Sequence, residues 1–413
     1  MPPAALLLSI LAAAGDVGAQ TYRAFPVESP NHGPRALLAN PSDPVASPFG
    51  WHDTNGVAGA EFTTLRGNNA YVYLDVDANG APDALTPDGG ATLAFDFPFS
   101  PADAPSAYYA ALMTNAFYWT SHLHDIFQRH GFTPARGNMQ ANTYGQGGIG
   151  NDPVKVEVAK GNGVNNVTYV NAADGVSPTI RTYVWNYTTP NRESSFDAGT
   201  MAWAYTILMF NRLVSASSCA SAAETPYMGY ADFFGILVTT DFHTATPSGP
   251  RGLGTYVLGQ PVNGTGIRDF PYSTDLAVFP RTYANLPSLQ TPHGTGSVYA
   301  ATLWDLTWLM VTRYGASHDL LNGSGAENRM LRLAIEGMDT MACPGGFVSA
   351  RESILAADQT LHGGADRCLI WQAFARRGLG NGAAEGSANS IADQVASFTL
   401  PIDCDHIFDN GFQ

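Results

Sequence analysis

The chain has 413 residues, 45% of them apolar and 13% charged, a balance that supports a large buried core and excludes intrinsic disorder. Against 35 acidic residues stand 20 basic ones, and the net charge of −15 excludes nucleic acid and anionic membrane as partners, since both need a basic face. The 43 glycines and 27 prolines predict many turns and long loops.

Ala4 to Ala14 is an apolar run too short to span a bilayer, and Val17-Gly18-Ala19 follows as a small-residue cleavage site. Residues 1–19 therefore read as a secretory signal peptide, which predicts an extracellular protein. Only Met1-Pro2-Pro3 precedes the run, with no basic residue, so a start misplaced within a longer precursor is the competing reading. In an exported chain the four cysteines, Cys219, Cys343, Cys368 and Cys404, predict two disulfides, with three pairings open. None lies in a C-x-x-C, so no zinc knuckle or redox motif is indicated.

Residues 20–195 read as a strand-rich region, with dense turn signals and alternating runs such as Tyr71-Val72-Tyr73-Leu74. The segment Asp75 to Asp83 copies the start of a calcium loop, with oxygens on Asp75, Asp77, Asn79 and Asp83 and a glycine at Gly80. Its twelfth position is Thr86 where a bidentate Glu belongs, which favours a solvated acidic turn over calcium. Residues 110–130 carry apolar side chains at helical spacing and stop at Gly131. His122, His124, Asp125 and His130 lie on this helix; their spacing makes no H-E-x-x-H, so an amphipathic helix is favoured over a metal site. Val154 to Val158 and Thr179 to Trp185 alternate as strands. The polar stretch Pro190 to Ser194 marks a boundary, and residues 196–413 read as mainly helical, with glycine-rich loops at 249–266 and 375–388. Within that half, Met201 to Leu213 is apolar all round except for Thr206, Asn211 and Arg212, which places this helix in the middle of a domain. A second helix begins shortly before Gly235.

Long segments in order carry a family resemblance. They include Ser47-Pro-Phe-Gly-Trp-His-Asp53, Arg66-Gly-Asn-Asn69, Asn142-Thr-Tyr-Gly145, Phe196-Asp197, Asn211-Arg-Leu213 and Asp232-Phe-Phe234. Further on come Tyr256-Val-Leu-Gly-Gln-Pro261, Gly266-Ile-Arg268, Pro271-Tyr-Ser-Thr274 and Cys368-Leu-Ile-Trp371. From about Tyr22 to Cys404 the chain resembles the fungalysin metallopeptidases, secreted zinc proteases of the thermolysin-like type. The resemblance implies an α+β, two-lobed thermolysin-like (zincin) fold, with a strand-rich N-terminal lobe and a mainly helical C-terminal one.

In that family two His one turn apart on a helix bind zinc, the Glu beside the first activates water, and a later Glu is the third ligand. Set between Phe196-Asp197 and Asn211-Arg-Leu213, the pattern puts Trp203 at the first His, Ala204 at the general base and Ile207 at the second His. Met228 stands at the third ligand, and Asp232 is the retained carboxylate that orients the first His in the family. The expectation is a degenerate zinc site: no zinc, no hydrolysis, and large apolar side chains filling the vacated space. The Trp203 indole N–H is expected to donate to Asp232, which otherwise is a buried unpaired acceptor. His293 matches a family His that assists the transition state, and Asn165 and Asn166 match the edge strand that holds the substrate backbone. A peptide or protein partner is the expectation that follows, as a binding or decoy protein. The alternatives are a metallopeptidase using other ligands, for instance His122, His124 or His293, and a structural or interaction protein with a closed groove.

Overall fold

The computed structural model describes residues 20–26, 33–214 and 222–405. The signal-peptide reading of residues 1–19, and Cys219, lie outside these residues. Among the described residues the fold is α+β, with the sheets in the N-terminal part and most helices in the C-terminal part. No described helix is long and apolar enough to cross a membrane.

Strands β1 (Thr21–Ala24), β2 (Ala36–Ala39) and β4 (Ala94–Phe95) form a small sheet in the order β2-β1-β4. The larger sheet has β3 (Ala70–Leu74), β5 (Val154–Val158), β6 (Val167–Val170) and β7 (Thr179–Thr182), in the order β3-β5-β7-β6. The pairs β3–β5 and β5–β7 are parallel, with Val72 beside Val156 and Val156 beside Ile180. The last pair, β6–β7, is antiparallel, so β6 is an edge strand. Helix α1 (Tyr109–Arg129) packs on β1, β3 and β5, and is buried from Ala111 to Gln128.

The Thr179 to Trp185 run is not one strand. It breaks at Tyr183, whose N–H turns to Ser194 Oγ at 3.0 Å. Beyond the break, β8 (Val184–Trp185) pairs with β9 (Arg192–Glu193) instead of continuing in the sheet.

Helices α2 (Ala198–Val214), α3 (Pro226–Leu237), α4 (His293–Tyr314), α5 (Ala326–Asp339), α6 (Phe347–His362) and α7 (Arg367–Arg376) follow, with the short α8 (Ile402–Asp405). Every residue of α2 from Ala198 to Phe210 is buried, as its apolar surround requires. Glycines set how closely its neighbours approach. A Cβ on Gly235 of α3 would lie 2.9 Å from the Gly199 carbonyl of α2, and one on Gly296 of α4 would lie 2.6 Å from Met228 Cβ. Larger residues there would push apart the helices that frame the expected site. One contiguous apolar core takes in residues from Tyr22 to Leu379. Cys368 and Cys404 form a disulfide that ties α7 to α8, and Cys343 is disulfide-bonded as well.

Candidate functional site

The site is framed by the two ends of α2. At its start, Asp197 Oδ1 accepts the Thr200 N–H at 3.1 Å, and its Oδ2 accepts the Tyr256 N–H at 3.1 Å. One carboxylate thus caps the helix and fastens the 256–257 loop to it. Phe196, one residue earlier, is wedged among Phe25, Phe99, Tyr108 and Tyr256. At the other end Arg212 donates to Asp152 Oδ2 at 2.7 Å and to the Ala172 and Val176 carbonyls, which locks α2 to the sheet-bearing part. The phase of the helix is therefore fixed by charge and rings at both ends.

On this frame Ala204, Ile207 and Met228 sit in the apolar core, 0%, 1% and 4% exposed. Trp203, 8% exposed, stands at the core's edge and walls a cavity of about 190 Å³. Asn166, Val167, Trp185, Thr200, Ile267, Arg268 and His293 complete the lining. The Trp203 ring lies 6.0 Å from Tyr169 of β6 and 6.1 Å from His293 at the start of α4. Burial lowers the His293 pKa, and the nearby Arg268 charge lowers it further, so its ring is held neutral. Larger hollows of about 530 and 510 Å³ lie elsewhere in the helical part.

The expected bond from Trp203 to Asp232 is absent. The Trp203 indole N–H is buried and has no hydrogen-bond partner among the described residues. Asp232 is taken instead by Arg268, which donates to both carboxylate oxygens at 2.6 Å, and by the Tyr272 hydroxyl. A bidentate guanidinium satisfies a buried carboxylate far better than one neutral indole N–H, and leaves it no need of the indole. Arg268 and Tyr272 are the site residues that reading the chain locally missed. The available signal was physical: a buried carboxylate needs a cation, and Arg268 is in one of the family-like segments.

The two asparagines part company. Asn165 has a left-handed backbone, φ 57°, and its amide pairs with Asn186 through Nδ2 at 2.8 Å and Oδ1 at 2.9 Å. Asn166 alone lines the cavity, at the entry to β6. The free edge of β6 thus runs beside the wall formed by Trp203.

His122 and His124 of α1, and His130 just past its end, are all buried. His124 has both ring nitrogens engaged, by Asp125 at 2.9 Å and Gln140 at 3.1 Å, and His130 reaches the Ile126 carbonyl at 2.8 Å. His122 stacks on Tyr118. Asp125 also accepts from Ser47 Oγ, Trp51 Nε1 and the Asp43 N–H, so it pins the loop at 43–51 to α1. In the acidic turn, Asp75 is paired with the Lys160 ammonium and accepts the Gly80 N–H at 3.1 Å. Asp83 accepts the Val76 N–H at 2.7 Å, while Asp77 and Asn79 accept N–H groups within the turn.

The family model for the fungalysin metallopeptidases (M36) matches residues 21–383. An extracellular metalloproteinase of Pyricularia oryzae is 37% identical over 381 residues, which cover 89% of this chain and 58% of the relative. Those of Pyrenophora tritici-repentis and Aspergillus fumigatus are each 34% identical, over 400 and 386 residues, covering 92% and 90% of this chain. Each alignment covers 59% of the relative, so the chain spans about three-fifths of the length of the curated relatives it matches. The chain belongs to the fungalysin metallopeptidase family.

Proposed function

We propose that this chain is a zinc-less fungalysin homologue, exported like its namesakes, that holds a peptide segment without cleaving it. The observation that carries the proposal is the donor chemistry at four positions. An indole N–H only donates, Ala204 and Ile207 offer no ligand atom, and the Met228 thioether is a poor zinc ligand. Zinc does not fit this donor set, and without a ligand-held zinc no activated water or Lewis acid is available on the family's pattern.

Peptide binding has support in what remains. An extended segment can add to the free edge of β6 by main-chain hydrogen bonds, the way edge strands take up peptides. The cavity is smaller than the about 300–1,000 Å³ usual for small-molecule sites, and suits a single side chain. Val167, Trp185, Trp203 and Ile267 give it an apolar lining, while Arg268 and Asn166 offer donors at its margin.

The test is a peptide-array screen alongside a casein digest with added zinc. Binding of extended apolar peptides is expected, lost in Ile267→Trp, which fills the cavity, and casein should stay intact. Hydrolysis that a chelator abolishes would overturn the proposal, and binding of no peptide would favour a closed groove.

A further inference from the structure

A second constellation lies away from this cavity. Asp241 and His243 follow α3, and His318 lies in the turn between α4 and α5. Each offers one ligand atom, and these atoms lie within 4.8 Å of one another. The two imidazoles stack with centroids 3.3 Å apart and planes 9° from parallel. None of the three residues lines the cavity beside Trp203.

Both loops are held independently of this contact. Asp241 Oδ1 accepts the His243 N–H at 2.9 Å and Oδ2 accepts the Thr244 hydroxyl at 2.9 Å, which fixes the first loop and leaves carboxylate lone pairs over. In the second, Glu327 Oε1 accepts the N–H groups of Ser317 and His318 at 2.7 and 2.5 Å. Asn328 donates to the Asp319 carbonyl at 2.8 Å. Two prebuilt loops thus present rings to each other across 75 residues of chain, and no described residue hydrogen-bonds to either ring. His52, His124 and His130 differ, each ring being bonded to a carbonyl or a side chain.

One other trio, Asp358, His362 and Asp366, is brought equally close among the described residues. There Asp366 is already paired with Arg329 and bonded by Tyr314, so an added cation would meet a guanidinium. Among the described residues no Lys or Arg is paired with the Asp241 trio.

We infer that Asp241, His243 and His318 form a surface site for one divalent transition-metal ion of the zinc, cobalt or nickel class. Two imidazoles and a carboxylate are the donors such ions favour, whereas calcium and magnesium take oxygen ligands. Metal–donor bonds of about 2.0–2.2 Å place donor atoms no more than about 4.4 Å apart, and rotation of these side chains, none of them buried, brings atoms already within 4.8 Å of one another into that range. The ion staples the end of α3 to the α4–α5 turn, and leaves the remaining coordination positions to water.

The experiment uses the full chain, stripped with a chelator and titrated with cobalt(II), read by visible absorption and calorimetry. One equivalent is expected. Loss of a partner behind a ligand costs about 10–100-fold in affinity, so loss of both imidazoles in His243→Ala/His318→Asn should cost at least the upper end of that range. Asn tolerates the left-handed backbone at position 318, φ 62°, and an unchanged melting temperature in chelator checks that the variant folds. Absence of cobalt binding by the parent chain, or binding that persists undiminished in the double variant, overturns the site. An ion that persists in the double variant but is lost when Trp203 is altered would count against both this site and the zinc-less reading, whereas failure of peptide binding leaves this site untouched.

Discussion

The clearest energetic test concerns what anchors Asp232 on α3. The side chains of Asp232 and Arg268 are 1% and 8% exposed, and two charge-assisted hydrogen bonds of 2.6 Å join them, with Tyr272 as a further donor. Burial opposes the charge on Arg268, and the Asp232 carboxylate more than offsets that, raising its pKa above the ordinary value. Asp232→Ala leaves the guanidinium with neutral partners, the Ile267 carbonyl at 3.2 Å and the Tyr272 hydroxyl. A buried charge stripped of its partner costs about 3–5 kcal/mol. Arg268→Met should cost a similar amount, because Asp232 would keep only Tyr272. Asp232→Leu with Arg268→Met removes both charges, and should fall near the parent chain or above it, far from the roughly 6–10 kcal/mol to which the two single costs would sum. Trp203→Phe deletes an N–H that has no partner among the described residues, so it should cost less than about 1.5 kcal/mol, mostly lost ring packing. Urea unfolding midpoints at constant slope measure all four. If Trp203→Phe destabilises as much as Arg268→Met, or if Asp232→Ala is silent, the assignment of Asp232 to Arg268 is wrong.

Two further outcomes follow from the same packing. Burial pushes the Glu193 carboxyl, at the entry to α2, up to about 7 from an unfolded value of 4.5. A raised folded pKa means that the native state holds the proton more tightly, so this contribution is complete below about pH 4.5 and is lost as pH rises through about 7. The stability difference between the parent and Glu193→Gln should shift by about 3 kcal/mol across that window, against the parent and measured by denaturant titration at each pH. His52 and His130, pushed down from 6.5 to about 4 by burial, act in the opposite sense across an overlapping window, losing stability as pH falls from about 6.5 to 4, and cancel in that difference. Second, Trp203→His, Ala204→Glu, Ile207→His and Met228→Glu together rebuild a zinc donor set on α2 and α3. On a His243→Ala/His318→Asn background this variant should melt lower than its parent in chelator, by several degrees for each ~1–3 kcal/mol of buried polar cost, and recover with zinc. A zinc-indifferent melting temperature would mean that the frame no longer holds these positions together.

How far the sequence carried depended on the range of the interaction. Features set by a few neighbouring residues were legible: the all-apolar surround of α2 gave its burial, and the alternation at Val154 to Val158 gave β5. The break at Tyr183 was not, because alternation continues through it and the cause, Ser194, lies in the returning β9 connection. Asp232 shows the same limit more sharply. Its burial followed from the helix, but its partner is 36 residues away, and the indole closer in sequence was the wrong donor. Asn165 and Asn166 are adjacent in sequence, yet a left-handed backbone turns one to Asn186 and leaves the other on the cavity. His243 and His318 form no spacing motif at all; only the packing of α3 beside α4 brings their loops together.

The central proposal is that the space between α2 and α3 at Trp203, Ile207 and Met228 holds no zinc. The most direct measurement is an anomalous difference map at the zinc edge from crystals grown with excess zinc. The account predicts no peak between Trp203 and Met228, whatever binds at Asp241, His243 and His318. A peak between α2 and α3 at the level of Trp203, Ile207 and Met228 would contradict it.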